Sequence, residues 1–355
     1  MSKEIFFMKG NEALAEASIR ANCKGYFGYP ITPQSEVLEY LSEEGVKRGM
    51  VVLQAESEVA SINMVYGASG AGFRVMTSSS SPGISLMQEG ISYIASAELP
   101  CLIVNINRGG PGLGTIQPSQ GDYFQSTKGG GHGDYKLIVL APSTVQEMAD
   151  FVFDGFYLAE KYRNPVMILA DGALGQMMEK VSFTKTLEQN LFDKSSWTTT
   201  GKQNSRERNI ITSLHIQPEK MEEVNLHLQK KYKTIEENEV QYELINSENM
   251  EYLFVAYGLS ARISHRTIEI ANENGFKCGL LRPKTLFPFP HKILEELSPK
   301  LKKIFVVEMN AGQMLEDVKL SVEGKCKVGF YGRMGGMIPS PEEVFEKFLE
   351  FQKQI

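Results

Sequence analysis

Residues 50–78, MVVLQAESEVASINMVYGASGAGFRVMTS, settle the class of fold. MVVLQA is a short apolar run of strand length, SEVASINMVYGASGA reads as a helix rich in small residues, and FRVMTS returns to strand. The same rhythm extends in both directions. Upstream, KGNEALAEASIRANC (9–23) reads as a helix, GYFGYP (25–30) as a strand, and QSEVLEYLSEEGVKRG (34–49) as a helix closed by glycine. Downstream come helix ISLMQEGISYIASAE (84–98) and strand CLIVNIN (101–107). A long loop then leads to strand LIVLAP (137–142), helix STVQEMADFVFDGFYLAEKY (143–162) and strand NPVMILAD (164–171). Short apolar strands alternating with helices mean a parallel sheet covered on both faces.

The alternation lapses between about residues 186 and 250, a polar stretch holding the only tryptophan, Trp197, and one amphipathic helix. It resumes with YLFVAYG (252–258), KCGLLRP (277–283), KIFVVEM (303–309) and KVGFYG (327–332), each followed by a helical segment. The expectation is therefore α/β, with two doubly wound domains. They span 1–185 and 251–355 and are joined by an interdomain connection at 186–250.

Charge and composition narrow the function. A net charge of −6 with no cluster of Lys and Arg gives no footprint for nucleic acid. MSKEIFFMKG carries an early acid and only a short apolar patch, so it does not read as a secretory signal. No apolar run approaches the ~18 residues of a membrane span, and the cytoplasm is the expected compartment. Cys23, Cys101, Cys278 and Cys326 lie far apart, and the five histidines form no close pair. Iron–sulfur clusters and structural zinc need grouped ligands, so no metal site is expected on this chain.

Ligands of open α/β sheets bind beyond the carboxyl ends of the strands, and four such ends carry unusual residues. In YPITP, Thr32 stands between Ile31 and Pro33, so its hydroxyl sits on a stiff mount, or the segment is only a turn. In LQAESEVAS, Ser57 is a plausible N-cap with Glu58 just inside the helix. Glu58 is either a partner for the helix dipole or a buried carboxylate awaiting a ligand, since the helix after it is uniformly apolar. TSSSSPGISLMQEG (77–90) carries Ser81 and Gly83 into a helix start, a place where anions bind but where serines also serve as ordinary caps. The fourth end opens with Arg108, whose planar fork suits a carboxylate or a structural ion pair. The loop after it holds nine glycines between Gly109 and Gly133. So long a loop in a compact domain is usually functional or disordered. His132, flanked by glycines, reads as a loop or interface residue. There is no P-loop and no nucleophile elbow. The G-D-G…Asn pattern by which thiamine enzymes hold magnesium and diphosphate is also missing.

Taken in order, GYPITPQSE, ESEVASINMVYGAS, SSSPGISLMQE and NRGGPG, followed by VAYGLSARI, LLRPKTLFPFP, VVEMNAGQMLEDV and FYGRMGGMIPSPEEV, cover nearly the whole chain. In these segments it resembles the α subunit of the 2-oxoacid:ferredoxin oxidoreductases, which use thiamine diphosphate. The resemblance implies a pyrimidine-binding domain followed by a transketolase C-terminal-like domain. It implies that Glu58 hydrogen-bonds the pyrimidine ring as the catalytic carboxylate, and that Thr32 and Arg108 hold the substrate. Ser81 and Gly83 are further cofactor-binding candidates, and Glu56 is assigned no role. The resemblance also puts magnesium and the iron–sulfur clusters on partner subunits. These are a thiamine-binding β subunit, a γ subunit and a ferredoxin-like subunit, with coenzyme A as co-substrate. GGPGLGTIQPSQGDY is closest to members acting on branched-chain 2-oxoacids such as 3-methyl-2-oxobutanoate. The alternatives are 2-oxoglutarate, and a non-catalytic paralogue that keeps only the fold and the subunit contacts.

Overall fold

The computed structural model describes residues 4–202 and 206–353. The extreme ends of the two expected domains, and residues 203–205 of the polar connection, lie outside them. In the first half β1 (Phe6–Lys9), α1 (Gly10–Arg20), β2 (Gly25–Gly28), α2 (Ser35–Tyr40), β3 (Val51–Gln54), α3 (Glu58–Gly70), β4 (Val75–Ser79), α4 (Ser81–Ser96) and β5 (Leu102–Asn107) follow one another. Next come α5 (Tyr123–Thr127), β6 (Ile138–Leu140), α6 (Val145–Tyr162), β7 (Val166–Asp171), α7 (Gly172–Gln176) and β8 (Met178–Val181). The connection contributes α8 (Pro218–Asn238), on which Leu228, Tyr232 and Ile235 are buried, the single inward stripe of an amphipathic helix.

The second half comprises β9 (Tyr242–Ile245), β10 (Tyr252–Val255), α9 (Gly258–Glu273), β11 (Cys278–Pro283), β12 (Thr285–Phe287), α10 (His291–Leu297), β13 (Lys303–Glu308), α11 (Met314–Val322), β14 (Lys327–Gly332) and α12 (Pro341–Gln352). Two twisted sheets result. The larger has the order β12–β6–β7–β5–β4–β2–β3 and the smaller β14–β13–β10–β11–β9. Every pairing within them is parallel except β12 with β6 and β9 with β11. The inner strands β4, β5 and β7 are buried along their whole length, as covering helices on both faces require.

Two strands lie across the limits read from sequence. Tyr242–Ile245 precedes residue 251 yet forms the edge of the smaller sheet, and Thr285–Phe287 reaches back to extend the larger one. β1 and β8 make a separate two-stranded antiparallel pair. These strands are only three or four residues long, too short to show a period. α4 starts at Ser81, earlier than the hydrophobic pattern suggests, because Pro82 sits in its first turn, where a missing N–H costs nothing.

The connection is pinned to the first sheet's helices. Trp197 is buried under the guanidinium of Arg163, 4.8 Å from its ring centroid. Beside it Arg74 forms a two-pronged pair with Glu160, both bonds 2.9 Å, and Lys194 adds a third contact to the same carboxylate at 2.9 Å. The two halves also meet through Gln120. Its side chain donates to the Tyr257 carbonyl (2.8 Å) and accepts from Ser260 Oγ (2.7 Å) and the Met309 N–H (2.9 Å). Its backbone carbonyl accepts from Asn310 Nδ2 at 2.8 Å.

Candidate active site at the strand ends

In the larger sheet β3 lies on one side of β2 and β4 on the other, so the topological switch point falls between β2 and β4. Ligands of such sheets sit in the crevice beyond that point. The loops after β2, β3, β4 and β5 carry Thr32, Glu58, Ser81 with Gly83, and Arg108 respectively.

Glu58 opens α3. The Ser57 hydroxyl accepts the Ala60 N–H at 3.2 Å, which is the cap read from sequence. Glu58 is 5% exposed, whereas Glu56 is exposed. Among the described residues its carboxylate has no hydrogen-bond or ion-pair partner. A mostly buried carboxylate without donors is placed to accept a hydrogen bond from a ligand. The helix after it is buried on one face only. Ser61, Ile62, Val65 and Ser69 face inward, while Val59, Asn63 and Gly67 form an exposed stripe. Uniform small and apolar composition hid that asymmetry.

Gly83 lies against the same carboxylate. A Cβ there would stand 2.5 Å from Glu58 Oε1 and 1.9 Å from Ser79 Oγ, a buried hydroxyl that also lacks a partner. Gly83→Ala is therefore expected to displace Glu58 while leaving the fold standing. Alanine gains up to about 1 kcal/mol over glycine inside a helix, and both clashing atoms are side-chain ends that can turn away. The check is a thermal unfolding midpoint near wild type beside a turnover at least about tenfold lower, one misplaced catalytic contact.

Arg108 and Thr32 meet directly. Arg108 Nη1 donates to the Thr32 carbonyl and Nη2 to the Leu113 carbonyl, each at 2.9 Å. Arg108 Nε is buried without a partner, and among the described residues the guanidinium faces no carboxylate. Each terminal nitrogen keeps a second N–H for a ligand. Thr32 is exposed, and its hydroxyl makes no hydrogen bond among the described residues. Its mount is held from behind, since the Pro33 carbonyl accepts from Asn11 Nδ2 (2.8 Å) and Gln176 Nε2 (3.2 Å). The loop after Arg108 folds back on itself. Gly109 N–H bonds the Gln117 carbonyl at 2.9 Å, and Gly114 turns with φ +62° where a Cβ would strike the Gly109 oxygen.

Ser81 is differently placed. Its hydroxyl donates to Asp122 Oδ2 (2.6 Å) and accepts the Arg108 backbone N–H (3.0 Å), so its single proton is spent inside the protein. Asn105, whose Nδ2 also donates to Asp122 (2.9 Å), and the buried Asn107 complete this polar floor. The sequence did hold a signal for it: two asparagines at positions i and i+2 on one face of an apolar strand. His132 is exposed, and its backbone carbonyl accepts from Ser92 Oγ at 2.9 Å. Burial pushes the thiols of Cys23, Cys101 and Cys278 up to about 12, which makes them unreactive. Among the described residues no three His, Cys, Asp or Glu side chains gather as a metal-holding group, and no helix is long and apolar enough to cross a membrane.

Comparison with known proteins shows the family. Residues 16–247 match the family model described as pyruvate flavodoxin/ferredoxin oxidoreductase, thiamine diphosphate-binding. Residues 250–344 match the pyruvate:ferredoxin oxidoreductase core domain II. The ketoisovalerate oxidoreductase subunit VorB of Methanothermobacter marburgensis is 49% identical over 97% of both chains. The 2-oxoglutarate synthase subunit KorA of Methanocaldococcus jannaschii is 36% identical over 96% of this chain and 98% of its own. Among solved structures, the 2-oxoglutarate:ferredoxin oxidoreductase of Magnetococcus marinus, with 2-oxoglutarate, coenzyme A and succinyl-CoA bound, superposes with a TM-score of 0.89 at 28% identity. The match covers 98% of this chain and 65% of that one. A split-gene transketolase (TM-score 0.61, 11% identity) shares the fold. With relatives alike along its whole length and family models over nearly all of it, the chain belongs to the pyruvate flavodoxin/ferredoxin oxidoreductase family, among the subunits of 2-oxoacid:ferredoxin oxidoreductases.

Proposed function

We propose that this chain supplies the pyrimidine-side half of a thiamine diphosphate site and the substrate clamp of a 2-oxoacid:ferredoxin oxidoreductase. The substrate on this reading is a branched-chain 2-oxoacid, 3-methyl-2-oxobutanoate. The observation that carries it is the buried, unpartnered carboxylate of Glu58, linked along one rim through Gly83 and Ser81 to Arg108 and Thr32. The residues present fit such a cofactor on its ring side. Glu58 offers a mostly buried acceptor with no partner among the described residues, and Gly83 leaves room beside it. The diphosphate, magnesium and iron–sulfur clusters fall to the β, γ and ferredoxin-like subunits on this reading.

When bound, thiamine diphosphate supplies the nucleophilic carbon that lets a 2-oxoacid lose carbon dioxide. Glu58 holds a proton shared with the pyrimidine ring and stabilises positive character there, a general acid–base contribution. Arg108 turns its spare N–H groups to the substrate carboxylate, and the Thr32 hydroxyl fixes the angle of approach. Charge supports this substrate class, as does the likeness to VorB. Between Arg108 and Lys128 there is no basic residue, and Lys128 is paired with Asp317, so nothing in this segment awaits a second carboxylate. We place the thiamine-binding partner on the exposed stripe of α3 and the open edge of β3, where Val51 is 59% exposed. A cytoplasmic location accords with this chemistry.

The test is co-expression with the partner subunits and comparison of kcat/KM for viologen reduction across 2-oxoacids. 3-Methyl-2-oxobutanoate is expected to exceed 2-oxoglutarate by at least about tenfold, the discrimination expected where a second carboxylate finds no cation to pair with. Preference for 2-oxoglutarate would assign the chain to the KorA-like specificity, and inactivity on every 2-oxoacid would leave the scaffold reading.

A further inference from the structure

Asp122 lies in the glycine-rich loop, half-buried and, among the described residues, without a cationic partner. Its Oδ2 accepts two hydrogen bonds, from Ser81 Oγ at 2.6 Å and from Asn105 Nδ2 at 2.9 Å. The Ser81 hydroxyl has its shortest acceptor in Asp122, with Asn107 Oδ1 (3.3 Å) and the Arg108 carbonyl (3.2 Å) more distant, and its oxygen turns a lone pair to the Arg108 N–H at 3.0 Å. Arg108 then spans Thr32 and Leu113 with its fork. Asp122 is itself held from the other half of the chain. Gln313 donates to the Gly121 carbonyl (2.7 Å) and accepts the Phe124 N–H (2.7 Å), bracketing Asp122 on both sides. Burial pushes its carboxyl above the usual carboxylate range, and the two hydrogen bonds oppose that rise. A half-buried acid without a counter-ion costs stability, and nothing in the local fold requires it, because α5 takes no side-chain cap from it.

We propose that Asp122 is a positioning residue for substrate: through Ser81 it sets where the Arg108 backbone leaves β5, and hence where the guanidinium meets the 2-oxoacid carboxylate. The inference rests on the reading of Arg108 as the carboxylate holder. Asp122 touches neither substrate nor cofactor. Its effect is confined to the substrate side of the site, since Glu58 reaches the rim from α3 and shares no hydrogen bond with this network.

The experiment uses the complex co-expressed with its partner subunits and compares Asp122→Ala, Asp122→Asn, Ser81→Ala and Arg108→Lys. Asp122→Ala is expected to raise KM for the 2-oxoacid about tenfold or more with kcat changed less than about threefold, the loss of one orienting contact. Proton exchange at the cofactor, which needs no 2-oxoacid, should stay at the wild-type rate. Asp122→Asn should restore KM, because its carbonyl oxygen can still accept both bonds. Should Asp122→Ala fail to assemble, Ser81→Ala removes the middle link while keeping the Asn105–Asp122 bond and should show the same KM rise. An unchanged KM in the assembled variants overturns the proposal, as does a kcat loss that Asn does not rescue. If Arg108→Lys also leaves KM unchanged for every 2-oxoacid, it is the reading of Arg108 that fails.

Discussion

Glu58→Gln should slow 2-oxoacid-dependent electron delivery by roughly 10²–10⁴-fold, the usual worth of a lost acid–base group. The substitution is nearly isosteric, and no hydrogen bond or ion pair among the described residues is broken by it. Stability of the cofactor-free protein should hold or rise slightly, because an unpartnered buried charge disappears. The glutamine amide can still bond the ring, yet it cannot take up a proton or stabilise positive charge. Glu56→Gln is the control, two residues away and exposed, and should leave turnover near wild type. Viologen reduction and exchange of the cofactor's C2 proton, both in the complex saturated with thiamine diphosphate, provide the measurement. Wild-type exchange in Glu58→Gln, with loss in Glu56→Gln, would show that the wrong carboxylate had been chosen. Unchanged exchange in both would return Glu58 to a partner of the helix dipole.

The second large effect concerns stability. Glu160→Gln is expected to cost about 3–5 kcal/mol, because it leaves Arg74 as a buried cation facing a neutral amide. Both side chains of the pair are almost fully enclosed, 3% and 2% exposed, so water cannot take the carboxylate's place. Lys194 loses its ion pair as well, keeping its bond to the Gly72 carbonyl at 3.2 Å, and the hold on the polar connection weakens. Urea unfolding reads the loss as a lower midpoint at unchanged slope. Arg74→Met with Glu160→Leu, which removes both charges and restores apolar volume, should recover much of it. A single-site effect below about 1 kcal/mol would place this pair with exposed ones.

Much of the architecture was legible because it is local. Strand and helix alternation, the Ser57 cap and Gly49 (φ +79°), which follows the helical turns continuing α2 through Leu41–Gly45, each follow from residues a few positions apart. The juxtaposition of Thr32 and Arg108 was legible one step further, since both follow strands of one parallel sheet and must emerge on the same rim. What stayed hidden is non-local. Thr285-Leu286-Phe287, between Pro283 and Pro288, gives no hint that it pairs with β6 some 145 residues earlier, a separation set by register rather than composition. Ser81 read as a ligand-facing hydroxyl, and nothing in its neighbours indicated that Asp122 would take its proton. Asp122 itself was masked by a loop whose glycines suggest freedom, although hydrogen bonds from both halves of the chain hold it.

The bonds around Gln120 bear on how such chains can be cut and recombined. In the smaller sheet β11 and β13 flank β10 on opposite sides, so the place where a nucleotide would ordinarily settle lies beyond β10 and β13. Tyr257, Met309 and Asn310 stand there, and all three are already bound to Gln120. That half of the molecule thus has its guest built in, as a peptide from the other half. It is a receptor filled by its own chain, and a diffusible ligand at that berth would have to displace these bonds from a tethered peptide. Grafting the C-terminal half onto a foreign catalytic domain would open that berth and strand its donors, unless residues 119–124 travelled with it.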